Sequence, residues 1–428
     1  MKELRIAIAG VGTVGSGLIE LIKKNNNLIS KRFSKKFTIS AIASRKSIST
    51  ENNIFKATKI FNNAKEFLKF NDYDVLIELI GGEDGVAKEI IFNALNKNKH
   101  IVSANKALFA KYGEKIFDIA NKRSLYVGFE ASVAGVIPII KVLREFLVSN
   151  KIKRIYGILN GTSNYILSKM LETNQSFSSI LKNAQDLGYA ERNPLFDING
   201  TDTAQKLSII SSLSFESKFN LKQVHIEGIS NIELVDLYNA ELLGYKVKLL
   251  GLTEKRGTKL IQFVYPCLIK KKSMIASVDN VYNGIVVEGD FSNKLFFQGD
   301  GAGSFPTATS VMSDIINILN FRLTEPQNKK LKDYHVVDIS NRVGSYYIRL
   351  TTLDKPGVIA DVTNEFKKFK ISVNSLLQKE SKNLKKKNAT IVITTHKCKE
   401  LQITKALKRI DSLSFIIEKT VYYRIENF

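Results

Sequence analysis

Cysteine is nearly absent: Cys267 and Cys398 are the only two in 428 residues, far apart and without histidines beside them. That excludes a disulfide framework and a cysteine-based zinc site and fits a reducing compartment. Long apolar runs are also missing. None reaches the roughly 18 residues a membrane span needs, and residues 1–10 read as a strand and not as a signal peptide, so a cytoplasmic protein without a membrane partner is expected. Acidic residues are in short supply, 41 against 64 Lys and Arg, which leaves a formal charge of +23. Such an excess raises the question of nucleic acid, because basic proteins gain affinity for phosphate by releasing counterions. The lysines are scattered, however. The densest cluster, Lys382 to Lys387, and the shorter Lys270-Lys271-Lys272 lie between apolar strand-like runs, where solvated loops belong, and no aromatics are interleaved as a stacking surface. Nucleic acid is therefore not an expected partner.

What is present is an ordinary globular composition, 44% hydrophobic and 25% charged, in a chain too long for one core. The apolar run Leu4 to Ala9 ends in Gly10-Val-Gly12-Thr13-Val14-Gly15 and is followed by an amphipathic helix through Leu18, Ile19, Leu21 and Ile22. Strand, glycine turn and helix together make the context of dinucleotide binding: Gly10 permits the tight turn, Gly12 lets the backbone approach a pyrophosphate, and Gly15 allows close helix packing. The next strand, Phe37 to Ala43, ends in Ser44-Arg45-Lys46, where an NAD-specific fold usually carries an acid for the ribose hydroxyls. Two cations there suit a 2′-phosphate, so NADP is expected, with NAD as the alternative. Strands at Asp74 to Ile80 and Lys99 to Ser103 continue the alternation with helices and predict a doubly wound parallel sheet whose carboxyl edge holds the ligand, with Lys106 on that edge.

The stretch Gly188 to Lys206 packs Glu191, Asp197 and Asp202, a lysine and several turn-formers into nineteen residues before the apolar series Leu207, Ile209, Ile210 and Leu213. It predicts a polar loop feeding a helix, with Thr201 as N-cap. Asp202 and Lys206, at i and i+4, then share one helix face. Read alone, that spacing describes a surface ion pair before it describes a site. A second strand-to-helix turn is expected at Asn160 to Leu167, capped by Thr162 or Ser163.

Together, Ser103 to Leu108, Phe129 to Gly135, Asn160 to Leu167 and Gly188 to Lys206 closely resemble the homoserine dehydrogenase family, over nearly the whole chain. The resemblance implies reversible NADP-linked reduction of L-aspartate 4-semialdehyde to L-homoserine, a step toward threonine, methionine and isoleucine. It implies an α/β architecture: a Rossmann domain (1–130, completed by a returning helix 305–322) and a mixed α/β substrate and dimerisation domain (131–304). By the same resemblance Lys206 donates the proton to the nascent alkoxide, Glu191, Asp197 and Asp202 bind substrate, and Lys106 is a second lysine serving cofactor and substrate. Gly188 and Gly303 are implied near the cofactor, with Gly10, Gly12, Thr13, Val14, Gly15, Arg45 and Lys46. Glu130, Val133, Gly135 and Ile137 match positions that hold a monovalent cation such as Na+ through main-chain oxygens; Val136 departs from the family's Gly-Gly pair there, and a tight loop ahead of Pro138 is the competing reading. A homodimer or homotetramer is implied.

After Phe321 the polar run Thr324 to Lys330 breaks the periodicity and predicts a linker (323–344). Strands and helices at Tyr346–Leu353, Val358–Lys368, Ile371–Gln378, Thr390–Thr395, Leu401–Ile410 and Phe415–Arg424 then predict a separate βαββαβ domain (345–428). It resembles an ACT domain, which implies an amino-acid effector, threonine being expected, near Asp354 to Val358 and Asn374; a purely oligomerising appendage is the alternative. A non-catalytic cofactor-binding amino-acid sensor is the competing function. Lys106, Glu191, Asp202 and Lys206 together favour catalysis, since a sensor needs no proton donor opposite a hydride carrier. Aspartate-semialdehyde dehydrogenase chemistry needs a nucleophilic cysteine, and neither cysteine lies by these motifs.

Overall fold

The computed structural model describes residues 3–33, 36–46, 55, 57–320, 331–380 and 388–428. Strand β1 (Glu3–Ala9) is apolar from Ile6 onward because both its faces are covered there: Leu4, Ile6 and Ile8 enter one core while Ala7 and Ala9 enter another, and the exposed Glu3 and Arg5 lie at its start. Helix α1 (Thr13–Phe33), β2 (Lys36–Ala43), β3 (Lys59–Phe61), β4 (Val75–Glu78), α2 (Val86–Asn96), β5 (His100–Ser103), α3 (Lys106–Lys122) and β6 (Val127–Gly128) follow. Their six strands form a parallel sheet of order β3-β2-β1-β4-β5-β6. The strand order reverses between β1 and β4, so the loops at their carboxyl ends part and leave a crevice. Far along the chain, helix Ser304–Asn320 returns to bury Ala308, Val311, Met312 and Ile315 against Leu18, Ile19 and Ile22 of α1. Residues 321 and 322 of the expected returning helix lie outside the described residues.

The central part is a mixed sheet. Among the described residues nine strands stand in line: Lys294–Asp300, Tyr282–Gly289, Ile152–Ile158, Tyr245–Arg256, Lys259–Lys270, Val421–Glu426, Val343–Leu353, Asn388–Thr395 and Val373–Glu380. Lys259–Lys270 explains how the sequence supports this. Ile261, Phe263, Tyr265, Cys267 and Ile269 point into one core, and Val264 and Leu268 into the other, where helices Gly161–Thr173, Thr201–Phe215 and Leu234–Leu242 also bury their apolar residues. A strand covered on both faces has no polar side to show.

Residues 345–428 form the C-terminal βαββαβ module, and their sheet continues the central one. Those residues have their own core of Tyr346, Ile348, Val358, Val362, Phe366, Ile403 and Ile410, but their sheet is joined edge to edge with the central one. Cys267, Leu268 and Ile269 pair in parallel with Arg424, Ile425 and Glu426, which closes a strand edge that would otherwise leave backbone groups open. The seam is also fastened by side chains: Asp236, fully buried on helix Leu234–Leu242, accepts from Arg349 Nε (2.7 Å) and Tyr347 Oη (2.9 Å). The described end of the linker, 331–344, is an ordered strap whose His335–Val336 pairs with Lys259–Leu260; residues 323–330 and the basic cluster Lys382 to Lys387 lie outside the described residues.

Smaller corrections concern ends of elements. The last strand begins at Val421, not Phe415, because Asp411 ties back the intervening turn by accepting from Thr420 N (2.9 Å). The first strand of the C-terminal module begins at Val343. Thr201 is not the N-cap of its helix: that place is taken by Gly200 at φ +86°, while Asn199 Oδ1 accepts from Thr201 N (2.9 Å). Likewise neither Thr162 nor Ser163 caps helix Gly161–Thr173; Asn160 does, accepting from Ser163 N at 2.7 Å.

Candidate active site

The crevice begins at the glycine loop. Gly10 adopts φ +104°, where an added Cβ would press on the Leu79 carbonyl, and a Cβ on Gly15 would collide with the Gly10 carbonyl. Gly12 differs, since a Cβ there would meet nothing within 4 Å. The loop is thus closed against the protein at two glycines and open at the third, a cradle left for something outside the chain. A cavity of about 480 Å³ lies against it, lined by Gly10, Val11, Gly12, Ser44, Arg45, Lys46, Asn62, Leu79 and Ile80 among others. Arg45 and Lys46 are the charged residues of that lining among the described residues, and Ser44 Oγ fixes their turn by accepting from Lys46 N (3.1 Å) and donating to Lys46 O (2.8 Å). Thr13 and Val14 open α1, and Ser304 Oγ donates to Thr13 O (2.7 Å), which brings neighbouring Gly303 (φ +114°) beside the loop. These features fit a nicotinamide dinucleotide. Gly188 (φ +75°) instead ends helix Phe177–Asp186 and starts the loop that carries Glu191.

Along the carboxyl edge of the sheet, Glu78 is fully buried, a residue that sequence reasoning passed over. Its carboxylate accepts from Ile80 N (2.8 Å), Gly81 N (2.9 Å) and Ser103 Oγ (2.6 Å) and so shapes the Gly81-Gly82 turn. Asn105 joins that turn to α3, donating from Nδ2 to Gly82 O (2.6 Å) while its Oδ1 caps Leu108 N (3.1 Å). The signal available beforehand was an acid within an apolar strand directly before two glycines.

Lys106, the first residue of α3, therefore starts at the positive end of a helix dipole, a poor place for a cation without a partner. The partner is Asp202. Lys106 Nζ lies 2.8 Å from Asp202 Oδ1, and Lys206 Nζ lies 2.8 Å from Asp202 Oδ2. Lys206 also donates to Leu159 O (2.7 Å), so two of its three N–H groups are engaged by these partners. Asn160 Nδ2 bridges Asp197 Oδ1 (2.7 Å) and Asp202 Oδ2 (2.9 Å). The Asp202–Lys206 pair is thus no surface pair: the side chains are 6% and 10% exposed, whereas Lys106, at 39%, faces the crevice. Glu191 is exposed at the rim, close enough for its charge to act on Lys106.

Electrostatics follow from this burial. The Lys206 ammonium is pushed below the ordinary lysine range by desolvation, with Lys106 pushing it further; Asp202 opposes both. Asp202 pulls Lys106 the other way, upward. Burial alone would raise Asp202, but the two ammoniums hold it below the usual carboxylate range. Asp197 is raised by burial and by Asp202, against Asn160 and the lysines. Three carboxylates against two ammoniums leave the pocket an excess of negative charge, suited to a ligand that brings its own ammonium.

At the proposed cation positions, Gly135 (φ +57°) stands in a turn whose carbonyls already have donors: Ser310 Oγ to Gly135 O (2.7 Å), Ile139 N to Ile137 O (2.8 Å) and Val133 N to Glu130 O (3.3 Å). Each keeps a second lone pair. The Glu130 side chain turns inward to accept from Ile140 N and Lys141 N, and burial, with Asp314 nearby, lifts its carboxyl to about 8. Among the described residues no group of three or more His, Cys, Asp or Glu could hold a metal ion. Both thiols are pushed up by burial, Cys267 strongly, which removes them as nucleophiles.

Similarities to known proteins agree with this geometry. Residues 138–316 match the family profile described as homoserine dehydrogenase, residues 10–130 that of the homoserine dehydrogenase NAD binding domain, and residues 346–415 the ACT domain. The homoserine dehydrogenase of Neisseria gonorrhoeae is 38% identical, with all of this chain and 99% of that protein covered. The crystal structure of a homoserine dehydrogenase from Thiobacillus denitrificans superposes with a TM-score of 0.92 at 35% identity, covering 100% of this chain and 99% of that one. The homoserine dehydrogenase of S. aureus gives 0.75 at 31% identity with both chains covered in full. With the glycine cradle, the Lys106–Asp202–Lys206 cluster and full-length identity above 30% in hand, the chain belongs to the homoserine dehydrogenase family.

Proposed function

We propose that this chain interconverts L-homoserine and L-aspartate 4-semialdehyde, with NADP as its preferred nicotinamide cofactor. The observation that carries the reading is the buried Lys206 ammonium, held between Leu159 O and Asp202 with its affinity for the proton reduced. When bound in the crevice, the nicotinamide supplies or accepts the hydride. Lys206 answers the charge that develops on the carbonyl oxygen: its free N–H stabilises the nascent alkoxide and delivers the proton, and in the reverse direction the neutral amine takes it back. A lowered lysine pKa makes both states accessible nearer to neutrality than the ordinary value of about 10.4 permits. Asp202 fixes the position of Lys206, and Asp197 and Glu191 offer carboxylates to the substrate ammonium. The competing sensor reading leaves the desolvated Lys206 without a task.

Homoserine-dependent reduction of NADP, followed by absorbance, tests this directly, and Lys206→Ala is the informative variant. Asp202 keeps Lys106 as partner in it, so the fold survives while turnover drops about 10²-fold or more, the scale of general acid–base catalysis, with cofactor binding near normal. The wild-type reduction of the aldehyde should decline as pH rises through the Lys206 pKa, and oxidation of homoserine should gain over the same interval. Turnover in Lys206→Ala close to wild type removes Lys206 from the role.

Cofactor choice rests on Arg45 and Lys46 at the rim of the crevice cavity. Arg45→Ala is expected to weaken NADP by about 1.5–3 kcal/mol, the worth of a hydrogen bond to a charged group, with much less effect on NAD. Equal losses in isothermal titration with the two cofactors would show that Arg45 does not meet the 2′-phosphate.

The carbonyls of Glu130, Val133, Gly135 and Ile137 are assigned to a monovalent cation such as Na+. Na+ added to desalted enzyme should then raise the melting temperature saturably, by the linkage of binding to stability, and a flat titration eliminates the assignment.

Control is assigned to the C-terminal module. Gly357 (φ +92°) opens helix Val358–Lys368, whose N-terminus suits an amino-acid carboxylate, with Asp354 close by for the ammonium. Asn374 Nδ2 lies 3.1 Å from Thr394 Oγ1 on the adjacent strand. Threonine is the proposed effector, and inhibition requires that it bind the less active state more tightly. Millimolar threonine should inhibit the full-length enzyme and Asn374→Ala should raise the concentration needed; an enzyme indifferent to threonine contradicts this. A truncated chain is a poor test, since removing the module would bare the edge of Lys259–Lys270 and strand Asp236.

A further inference from the structure

Outside the lysine–carboxylate site, Arg424 on the last strand, 2% exposed, is a heavily bonded buried side chain. Its Nη1 and Nη2 donate to Glu227 Oε2 (2.6 Å) and Oε1 (2.7 Å), its Nε donates to Glu400 Oε2 (3.1 Å), and the guanidinium lies 4.5 Å from the centre of the Tyr265 ring. Glu400 comes from the same C-terminal module and already supplies a buried counter-charge. Glu227 comes from the central domain, so neutralising Arg424 does not account for it.

Glu227 sits in a short segment held on two sides. On one side His225 and Ile226 pair with Phe263 and Val264, and Glu227 N donates to Val264 O at 2.8 Å. On the other, Ile229 N donates to Ile198 O at 2.8 Å, and a Cβ at Gly228 would collide with Ile198 O and Asn199. Gly200 closes the contact, since a Cβ on it would lie 3.1 Å from the Ile226 side chain and 3.3 Å from Glu227 O. Residues 226–229 are therefore wedged between the sheet and residues 198–200, the link from Asp197 to the first turn of the helix bearing Asp202 and Lys206.

We infer that Arg424 and Glu227 are positioning residues for the substrate: through segment 226–229, their bidentate pair braces loop 197–200 and thereby sets Asp197, a carboxylate offered to the substrate ammonium. The inference rests on the dehydrogenase reading proposed above. A fork-to-fork carboxylate–guanidinium pair constrains direction as well as distance, and the backbone contacts at Ile198 and Gly200 leave little slack to absorb a shift. The glycine cradle is built on β1 and α1 in the other domain and does not share these contacts. Substrate affinity should therefore depend on the seam between the C-terminal module and the central sheet, while cofactor affinity should not.

The test uses full-length Glu227→Gln, Arg424→Lys and the double variant. Glu227→Gln keeps the volume, and Arg424 keeps Glu400, so no buried charge is left alone. The expected result is a KM for homoserine raised about five- to tenfold, in the range of ordinary coupling between sites, with kcat and the KM for NADP changed by less than about twofold. The double variant should be no worse than the worse single one, because the two residues act as one unit. Amide hydrogen exchange at residues 198–203 should also quicken in Glu227→Gln, a readout that needs no turnover. An unchanged KM in a folded variant, a fall in kcat alone, additive effects, or unchanged exchange at 198–203 would each overturn the inference. A wild-type enzyme without homoserine-dependent NADP reduction, but with the exchange effect present, would overturn the dehydrogenase reading and leave the brace standing.

Discussion

A buried carboxylate between two ammoniums organises this protein. Asp202 is nearly sealed from water, and charge in such a place persists only when paired and hydrogen-bonded. Lys206, four residues on along the helix, supplies one partner, while Lys106 arrives from the nucleotide-binding sheet. Asn160 supplies a neutral donor from the strand-to-helix turn, and Leu159 holds Lys206 by its carbonyl. Three parts of the chain must therefore meet at one carboxylate. Removing one partner from a buried pair commonly costs about 3–5 kcal/mol, so the cluster serves packing as well as chemistry. Its electrostatic result is asymmetric: the exposed lysine is raised and the buried one lowered, which separates an anchoring cation from a proton carrier.

The architecture supplies the surroundings. The nucleotide-binding sheet presents the glycine cradle, and Glu78 and Asn105 hold its carboxyl edge so that Lys106 starts its helix facing the crevice. The central sheet carries the opposite wall. Because this sheet runs on without a break into the C-terminal module, that module is part of the same structural unit as the wall, not a bead on a string. Asp236 with Arg349, and Glu227 with Arg424, are ion pairs with a buried arginine across the seam. They resist sliding of one half against the other and make the seam a mechanical joint.

The amino-acid sequence by itself determined the features that depend on near neighbours. Gly10, Gly12 and Gly15 have their roles because backbone room at a tight turn is a local property, and the i, i+4 relation of Asp202 and Lys206 follows from helical pitch alone. The βαββαβ order was legible because each element carries its own periodicity, and helix Val358–Lys368 came out with the expected bounds. Tertiary structure alone decided what those local features mean. Whether Asp202 and Lys206 lay on a surface or in a core depended on Lys106, nearly a hundred residues away. Glu78 and Asn160 acquire their work on the site only when loops distant in sequence converge. The joining of the two sheets was hidden as well: Lys259–Lys270 is buried on both faces, mostly by apolar residues, whichever strand lies at its edge, and edge pairing is made by backbone groups that every residue but proline possesses.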